Sequence, residues 1–322
     1  MPLHYRTATP ADFDALVQLW NEHAGWDTLT RETWAERFMV IPENPLRIVV
    51  GEDDGGRIAA QFLFIPIPLW VDGRESTAVR PFAPVVASDV RGGLNPMQHP
   101  VVAMFRHAMT AFRDLGDGAI YMLPDPRWRR LFKSLPQFKT ATFPLLSRPL
   151  PLDDGPLALG DGYQAGPLTD WGDRVDALWA EAREWMGAQL IRDGRVLPWK
   201  VGQGDYTVTA VERGGDLVGL VASRKKGDRQ WLVCDLVAAD EAALRAALTA
   251  AINEGHRAAS AAPDDAPIHK VSVLGSGPTD AAARALGLTP ERYKFVLFTV
   301  HLDASIPAEA VAPERWTVCP ND

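Results

Sequence analysis

The sequence predicts an α/β (α+β) protein of two tandem domains, each a mixed twisted sheet flanked by helices. Three observations carry this. The 322 residues suffice for about two ordinary domains. The second half repeats features of the first in the same order and at matching spacings. Within each half, strand-like runs alternate with helical ones: strand, helix, hairpin, strand, helix, strand, helix, strand.

Taken in order, Tyr5, Asp12, Phe13, Leu19 and Trp20 are matched later by Tyr163, Asp170, Trp171, Leu178 and Trp179. Thr9 before Pro10, with Asp12 following, reads as a helix N-cap with proline in the first turn. Phe13, Leu16, Val17 and Trp20 then share one helical face, and the matched tryptophans read as core. From Trp20 to Gly55-Gly56, and from Trp179 to Gly214-Gly215, the spacing is the same. Each glycine pair joins two strand-like runs, 47–50 to 58–64 and 206–211 to 217–222, as a hairpin turn does. A helix over 100–115 turns Val102, Phe105, Met109 and Phe112 inward and ends at Gly116. Strand 120–123, a short helix through Leu131 and strand 140–146 then parallel strand 270–274, a helix to Leu286 and strand 293–300. Asp240 caps another helix, with Leu244, Leu248 and Ile252 as its stripe and Gly255 as its stop. The turn-rich linker 149–156 sets the domains at 1–150 and 158–305, followed by a tail, 306–322.

Composition narrows the function. Hydrophobic residues make up 47% and charged residues 23%, as in a globular protein. Lys plus Arg is 33 against 41 for Asp plus Glu, a net charge of −8. That balance argues against a broad nucleic-acid face and suits a cationic partner better than an anionic one. Cys234 and Cys319 form neither a CxxC pair nor a cluster with His, so no disulfide framework and no metal is expected. The apolar run 58–71 carries Pro66 and Pro68 and is too short to span a bilayer, and no signal-peptide stretch opens the chain. The expectation is a cytoplasmic protein without membrane or nucleic-acid partners. Phosphate-loop, zinc-protease and nucleophile-elbow motifs are missing.

The stretch from Ala78 to Leu94 holds the most chemistry. Pro84 cannot donate to a sheet ladder, so a bulge or splay is expected there. Arg91-Gly92-Gly93 follows it, shortly before Pro100 opens a helix. Unpaired amides over residues 91–95 and the positive helix end are an anion-binding arrangement, and glycines let a ligand approach. The corresponding stretch of the second half runs from Cys234 and Asp235 through Ala238-Ala239 directly into Asp240-Glu241. Those carboxylates already satisfy the helix end and repel a diphosphate. Asp235, among apolar strand residues, either has a raised pKa or pairs with an arginine such as Arg192 or Arg195. His99 reads as a helix cap.

A fourth strand leading directly into a central helix resembles the GNAT superfamily of N-acyltransferases, once per half. The resemblance implies that the fourth strand splays and holds an acyl thioester through backbone groups, here at Val85, Val86 and Ala87. It implies that the following turn wraps the pyrophosphate of coenzyme A, here at Arg91, Gly92, Gly93, Leu94 and Asn95. Leu94 and Pro96 stand where that family has spaced glycines. The tyrosine that many members use as general acid is replaced by Phe132 in the first half and Ala283 in the second. Tyr121, one strand earlier, and Glu22 and His23, with Asp27, after the first helix, are the candidate proton carriers. Each has a plain structural reading beside it, a sheet tyrosine or surface residues after a helix. The implied activity is acyl-CoA (acetyl-CoA) dependent N-acyl transfer to a small amine-bearing acceptor by direct attack. The acyl-CoA is a co-substrate bound in the first half, and the second half shapes the acceptor site. Two alternatives stand beside it. One is a catalytically inactive GNAT-fold binding or scaffold protein. The other is a Fem-type aminoacyl-tRNA-dependent transferase, for which the basic surface and helical arm are missing.

Overall fold

Mixed strand pairing with helices on the faces makes up the computed structural model, which describes all residues except 1, 39–45, 92–97, 134, 136, 203, 228, 264 and 321. Two compact units result. One contains residues 1–69, 75–139 and 298–311, the other 70–74, 140–297 and 312–322.

The first unit contains β1 (His4–Thr7), α1 (Phe13–His23), α2 (Arg31–Phe38), β2 (Arg47–Glu52), β3 (Ile58–Val71), β4 (Arg74–Val86), α3 (Pro100–Asp114), β5 (Ala119–Met122) and α4 (Pro126–Lys133). The entry to α1 is built as the sequence requires. The Thr9 amide donates to Asp12 Oδ2 at 2.6 Å, and Arg6 clamps the same carboxylate with two bonds of 2.8 Å. Those bonds hold the Asp12 carboxyl well below its ordinary range. Leu16, Leu19 and Trp20 are buried beneath it. Gly56, at φ 81°, closes the β2–β3 hairpin in a conformation that costs glycine nothing. β3 is buried along nearly its whole length. One face, with Ala59 and Leu63, joins the core under α1, and the other puts Phe62 and Phe64 against Phe105 and Phe112 of α3. Burial on both faces explains why this strand reads as a continuous apolar run instead of an alternating one. The short α2 has no apolar periodicity to announce it. It is held by Thr30 and Thr33, which bond each other's backbone, and by Trp34 packed edge-on to Phe13 at 5.0 Å.

The second unit contains β6 (Lys139–Pro149) from Thr140 on, β7 (Tyr163–Pro167), α5 (Asp173–Ala182), β8 (Gln189–Leu190), α6 (Val196–Gly202), β9 (Thr207–Arg213), β10 (Asp216–Lys226), β11 (Gln230–Ala238), α7 (Glu241–Ala261), β12 (Lys270–Leu274), α8 (Pro278–Ala285) and most of β13 (Thr289–His301). Gly214 and Gly215, both at positive φ, turn the β9–β10 hairpin. Asp240 accepts the Ala243 amide at 2.7 Å and starts α7. Gly255 is not its stop. The helix runs six residues further, to Ala261, and Gly255 is buried where a Cβ would stand 2.9 Å from the Trp231 ring. A close approach, and not a C-cap, requires glycine there. Cys234 and Cys319 are free and buried, and burial pushes their thiols up to about 11 and about 12.

The last strands pair in a way that sequence order does not announce. β6, which closes the first half of the chain, pairs antiparallel with β12 (Lys270 opposite Pro149). The end of β13 pairs antiparallel with β5 (Phe298 opposite Met122). The last part of the tail, 312–322, lies in the second unit, where Trp316, Thr317 and Val318 are each 2% exposed or less. Among the described residues no helix is long and apolar enough to cross a membrane.

Candidate cofactor and acyl-transfer site

The first unit places a splay between two parallel strands. β4 and β5 pair at Ala78 with Ala119 and at Val79 with Ile120. Beyond that point β5 continues as Tyr121 and Met122, which lie opposite Thr299 and Phe298 of β13. β4 meanwhile passes through Pro81, Ala83 and Pro84. Ala83 sits at φ 50°, a left-handed conformation rare outside glycine, and the two prolines have no amide hydrogen. Beside Pro84, where the sequence predicts a bulge or splay, the backbone is strained one residue earlier, at Ala83. The strand rejoins β3 at its end, where the Ala87 amide donates to Ala59 O at 2.8 Å. Amides alternate along a strand, so Val86 aims its amide at the opposite edge, the one β5 has left. Because Ala83 holds this geometry, Ala83→Val is expected to cost about 1–3 kcal/mol. Ala83→Gly should stay within about 1 kcal/mol of the parent, since glycine adopts positive φ freely. Urea unfolding of both variants checks the pair.

The turn after β4 is anchored by Arg91. Its Nε donates to Val86 O and its Nη2 to His23 O, each at 2.8 Å, tying the end of α1 to the end of β4. α3 follows. Its first turn carries no acidic residue, Pro100 occupies the first helical position, and His99 Nδ1 accepts the Val101 amide at 3.3 Å. Burial, assisted by the Arg91 charge, lowers the His99 pKa, so the ring is neutral and able to accept. His99 is the cap the sequence suggested.

The candidate residues fall as follows. Val85, Val86, Ala87, Arg91 and the backbone of His23 converge at the end of β4. Gly92, Gly93, Leu94 and Asn95 lie outside the described residues. Tyr121 is fully buried on β5, just past its last pair with β4. Glu22 is exposed, accepts from Gln18 Nε2 at 2.8 Å and lies 3.7 Å from His23 Nε2. Asp27 uses its backbone carbonyl to accept the Trp20 indole N–H. Phe132 is 4% exposed, with ring centroids 5.7 Å from Phe105 and 5.5 Å from Phe138. Ala283 is buried in the second unit's core. Among the described residues no three His, Cys, Asp or Glu side chains are grouped to hold a metal.

Sequence reasoning passed over Gln61. It is fully buried on β3, and both its amide atoms are without a hydrogen-bond partner among the described residues. The Ala87–Ala59 bond sets the register that puts it beside Val85. A single glutamine in the otherwise apolar run 58–71 was the signal, since a buried amide without a partner costs free energy.

The second unit repeats the splay and fills it. β11 and β12 pair in parallel from Gln230–Lys270 to Leu232–Ser272. Beyond them Asp235 accepts from Arg192 Nε at 2.6 Å and lies 2.5 Å from Lys200 Nζ. The same two cations bind Asp322, at 2.6 and 2.5 Å. All four side chains are at most 2% exposed. Past β12, Ser276 exchanges hydrogen bonds with both backbone groups of Val318. Residues of the tail thus lie against both diverging strands. At the following helix Asp240 is already engaged by the Ala243 amide, and Glu241 adds a second carboxylate.

No protein-family model matches the sequence, and no curated protein does. Solved structures match its fold. A GCN5-related N-acetyltransferase from Anabaena variabilis superposes with a TM-score of 0.65 at 14% identity, covering 93% of this chain and 73% of that one. A tandem GNAT protein from the clavulanic acid biosynthesis pathway covers 93% of this chain and 98% of its own, with a TM-score of 0.52 at 17% identity. The N-myristoyltransferase of Saccharomyces cerevisiae, solved with bound myristoyl-CoA, gives 0.53 at 12% identity, with 93% and 84% covered. A splayed β4, a left-handed residue before its end and a helix opening beyond it, in a chain that matches these proteins over nearly its whole length, are the features of one architecture: the chain has the fold of the GNAT superfamily.

Proposed function

We propose that the protein is an acyl-CoA-dependent N-acyltransferase with one cofactor site, in the first unit. The observation that carries the reading is the contrast between the two splays. The first ends at a helix whose opening turn has no carboxylate and whose cap is a neutral histidine. The second is occupied by four buried charged side chains and ends at two carboxylates. A pyrophosphate is compatible with the first helix end and opposed at the second. Gln61, orphaned beside Val85, is a buried donor that a thioester or pantetheine carbonyl would satisfy.

In this reading the Val86 amide polarises the thioester carbonyl. An amine attacks it, the C–N bond forms and the C–S bond breaks. The amine proton leaves through His23 and Glu22, and Tyr121 protonates the departing thiolate. The acceptor is a small molecule bearing an amine, and the net charge of −8 favours a basic one. The protein works in the cytoplasm.

Calorimetric titration with acetyl-CoA, beside a longer acyl-CoA such as myristoyl-CoA, tests this. Micromolar binding at one site per chain is expected, weakened at least tenfold by Gly93→Glu, which sets a carboxylate in the candidate pyrophosphate turn. Two sites per chain, or binding indifferent to Gly93→Glu, would refute the placement. No binding by either thioester would leave a GNAT-fold scaffold as the reading.

A further inference from the structure

On the first unit a cavity of about 220 Å³ opens beside the C-terminal half of α3 and the end of β13. Arg113, on its rim, is 13 residues along the helix from Pro100, about 20 Å at 1.5 Å per residue, so the cavity is separate from the β4 splay. Its floor is apolar, with Met109, Val300 and Val311 each largely buried. Its rim is basic: Arg113, Lys139 and His301. The lining contains no acidic residue, in a chain whose net charge is −8. Arg113 Nε donates to Leu302 O at 3.3 Å. His301 Nε2 lies 2.6 Å from Asp303 O, and since a carbonyl only accepts, the ring proton sits on Nε2. Among the described residues no carboxylate comes within ion-pair distance of any of the three. Two cations, Arg113 and Lys139, gathered without a counter-ion leave an unneutralised positive field over an apolar floor.

We propose that this cavity binds a small organic carboxylate, its anionic group held by Arg113 and Lys139 and its short apolar body resting on Met109, Val300 and Val311. The volume is below the roughly 300–1,000 Å³ of drug-sized sites, which limits the ligand to a few carbons or one ring. A bare inorganic anion would leave the floor uncovered, so the amphipathic ligand is the better match.

Benzoate, neutral benzamide and inorganic phosphate are suitable probes for titration of the full chain by ligand-observed NMR, with phosphate as competitor. Saturable benzoate binding is expected, at least tenfold tighter than benzamide, and weakened at least tenfold by the exposed Lys139→Glu. Arg113→Gln should weaken it in the same direction, and acetyl-CoA binding should not change in either variant. Equal binding of benzamide, indifference to both substitutions, or no saturation would overturn the proposal. Phosphate competing as well as benzoate would overturn it too, by showing a plain anion patch.

Discussion

Arg192→Met is expected to destabilise the protein by about 3–5 kcal/mol, because it removes one cation from a fully buried group of four charges. Asp235 and Asp322 would then share Lys200 alone, and one carboxylate would be left in the core without compensation. The parent arrangement has two cations and two anions, so it is neutral as a unit and breaking it costs more than its presence contributes. Arg174→Ala is the contrast. Its pair with Glu212 is 44% and 36% exposed, and such surface pairs contribute about 0–1 kcal/mol. Urea unfolding of the three proteins separates the two cases. Acid unfolding gives a second readout. Burial opposes ionisation of Asp322, but Arg192 and Lys200 outweigh it and hold the carboxyl below its ordinary 3.8. Its contribution is therefore complete above about pH 4 and is lost as the pH falls through the folded value. Without Arg192 that value rises, so the acid midpoint should move to higher pH. At the alkaline end burial likewise opposes the Lys200 charge, and the two carboxylates keep its pKa above 10.5. Its contribution is present below that value and fades only beyond it. A variant as stable as the parent, with the same acid midpoint, would show that these charges do not hold the tail in place.

Half of this group was legible in the sequence. Asp235 stood in an apolar strand and called for an arginine, and Arg192 is that partner. The Lys200–Asp322 pair was not legible, since the two stand 122 positions apart and no local pattern joins them. The same distinction runs through the fold. The Thr9–Asp12 cap, the two Gly-Gly hairpins, the α3 face and the paired Trp20 and Trp179 are local chemistry, and each is where the sequence puts it. The pairing of β6 with β12 and of the end of β13 with β5 depends on contacts between distant segments, which periodicity does not encode. α2 and α6 escaped because they are short and lack a strong apolar stripe. Gly255 misled because a glycine for close packing and a glycine for a helix stop look alike until the Trp231 ring is seen beside it. In the site, Pro84 pointed to an irregular strand, and Arg91, expected to face a pyrophosphate, uses two of its nitrogens to hold the ends of α1 and β4 together.

Tyr121→Phe is expected to lower the rate of thiol release from acetyl-CoA, with the best amine of an acceptor panel, by about 10²–10⁴-fold, the usual worth of a positioned general acid. The acetyl-CoA Kd should not change, because the hydroxyl's part comes only when the thiolate departs. The split between rate and binding separates an acid from a packing residue, whose loss would disturb both. Phe132→Tyr is the reciprocal experiment. It restores the side chain that the family often uses, yet Phe132 is enclosed by Phe105, Trp128, Phe138 and Phe298 at centroid distances of 5.5–6.5 Å. A hydroxyl there enters an aromatic cluster that offers it no acceptor, at a cost of about 1–3 kcal/mol. The variant should lose stability and gain no rate. Faster turnover in Phe132→Tyr, or an unchanged rate in Tyr121→Phe, would move the acid away from β5. If the chemistry does use Tyr121, Phe132 has no proton to carry, and its ring serves the core.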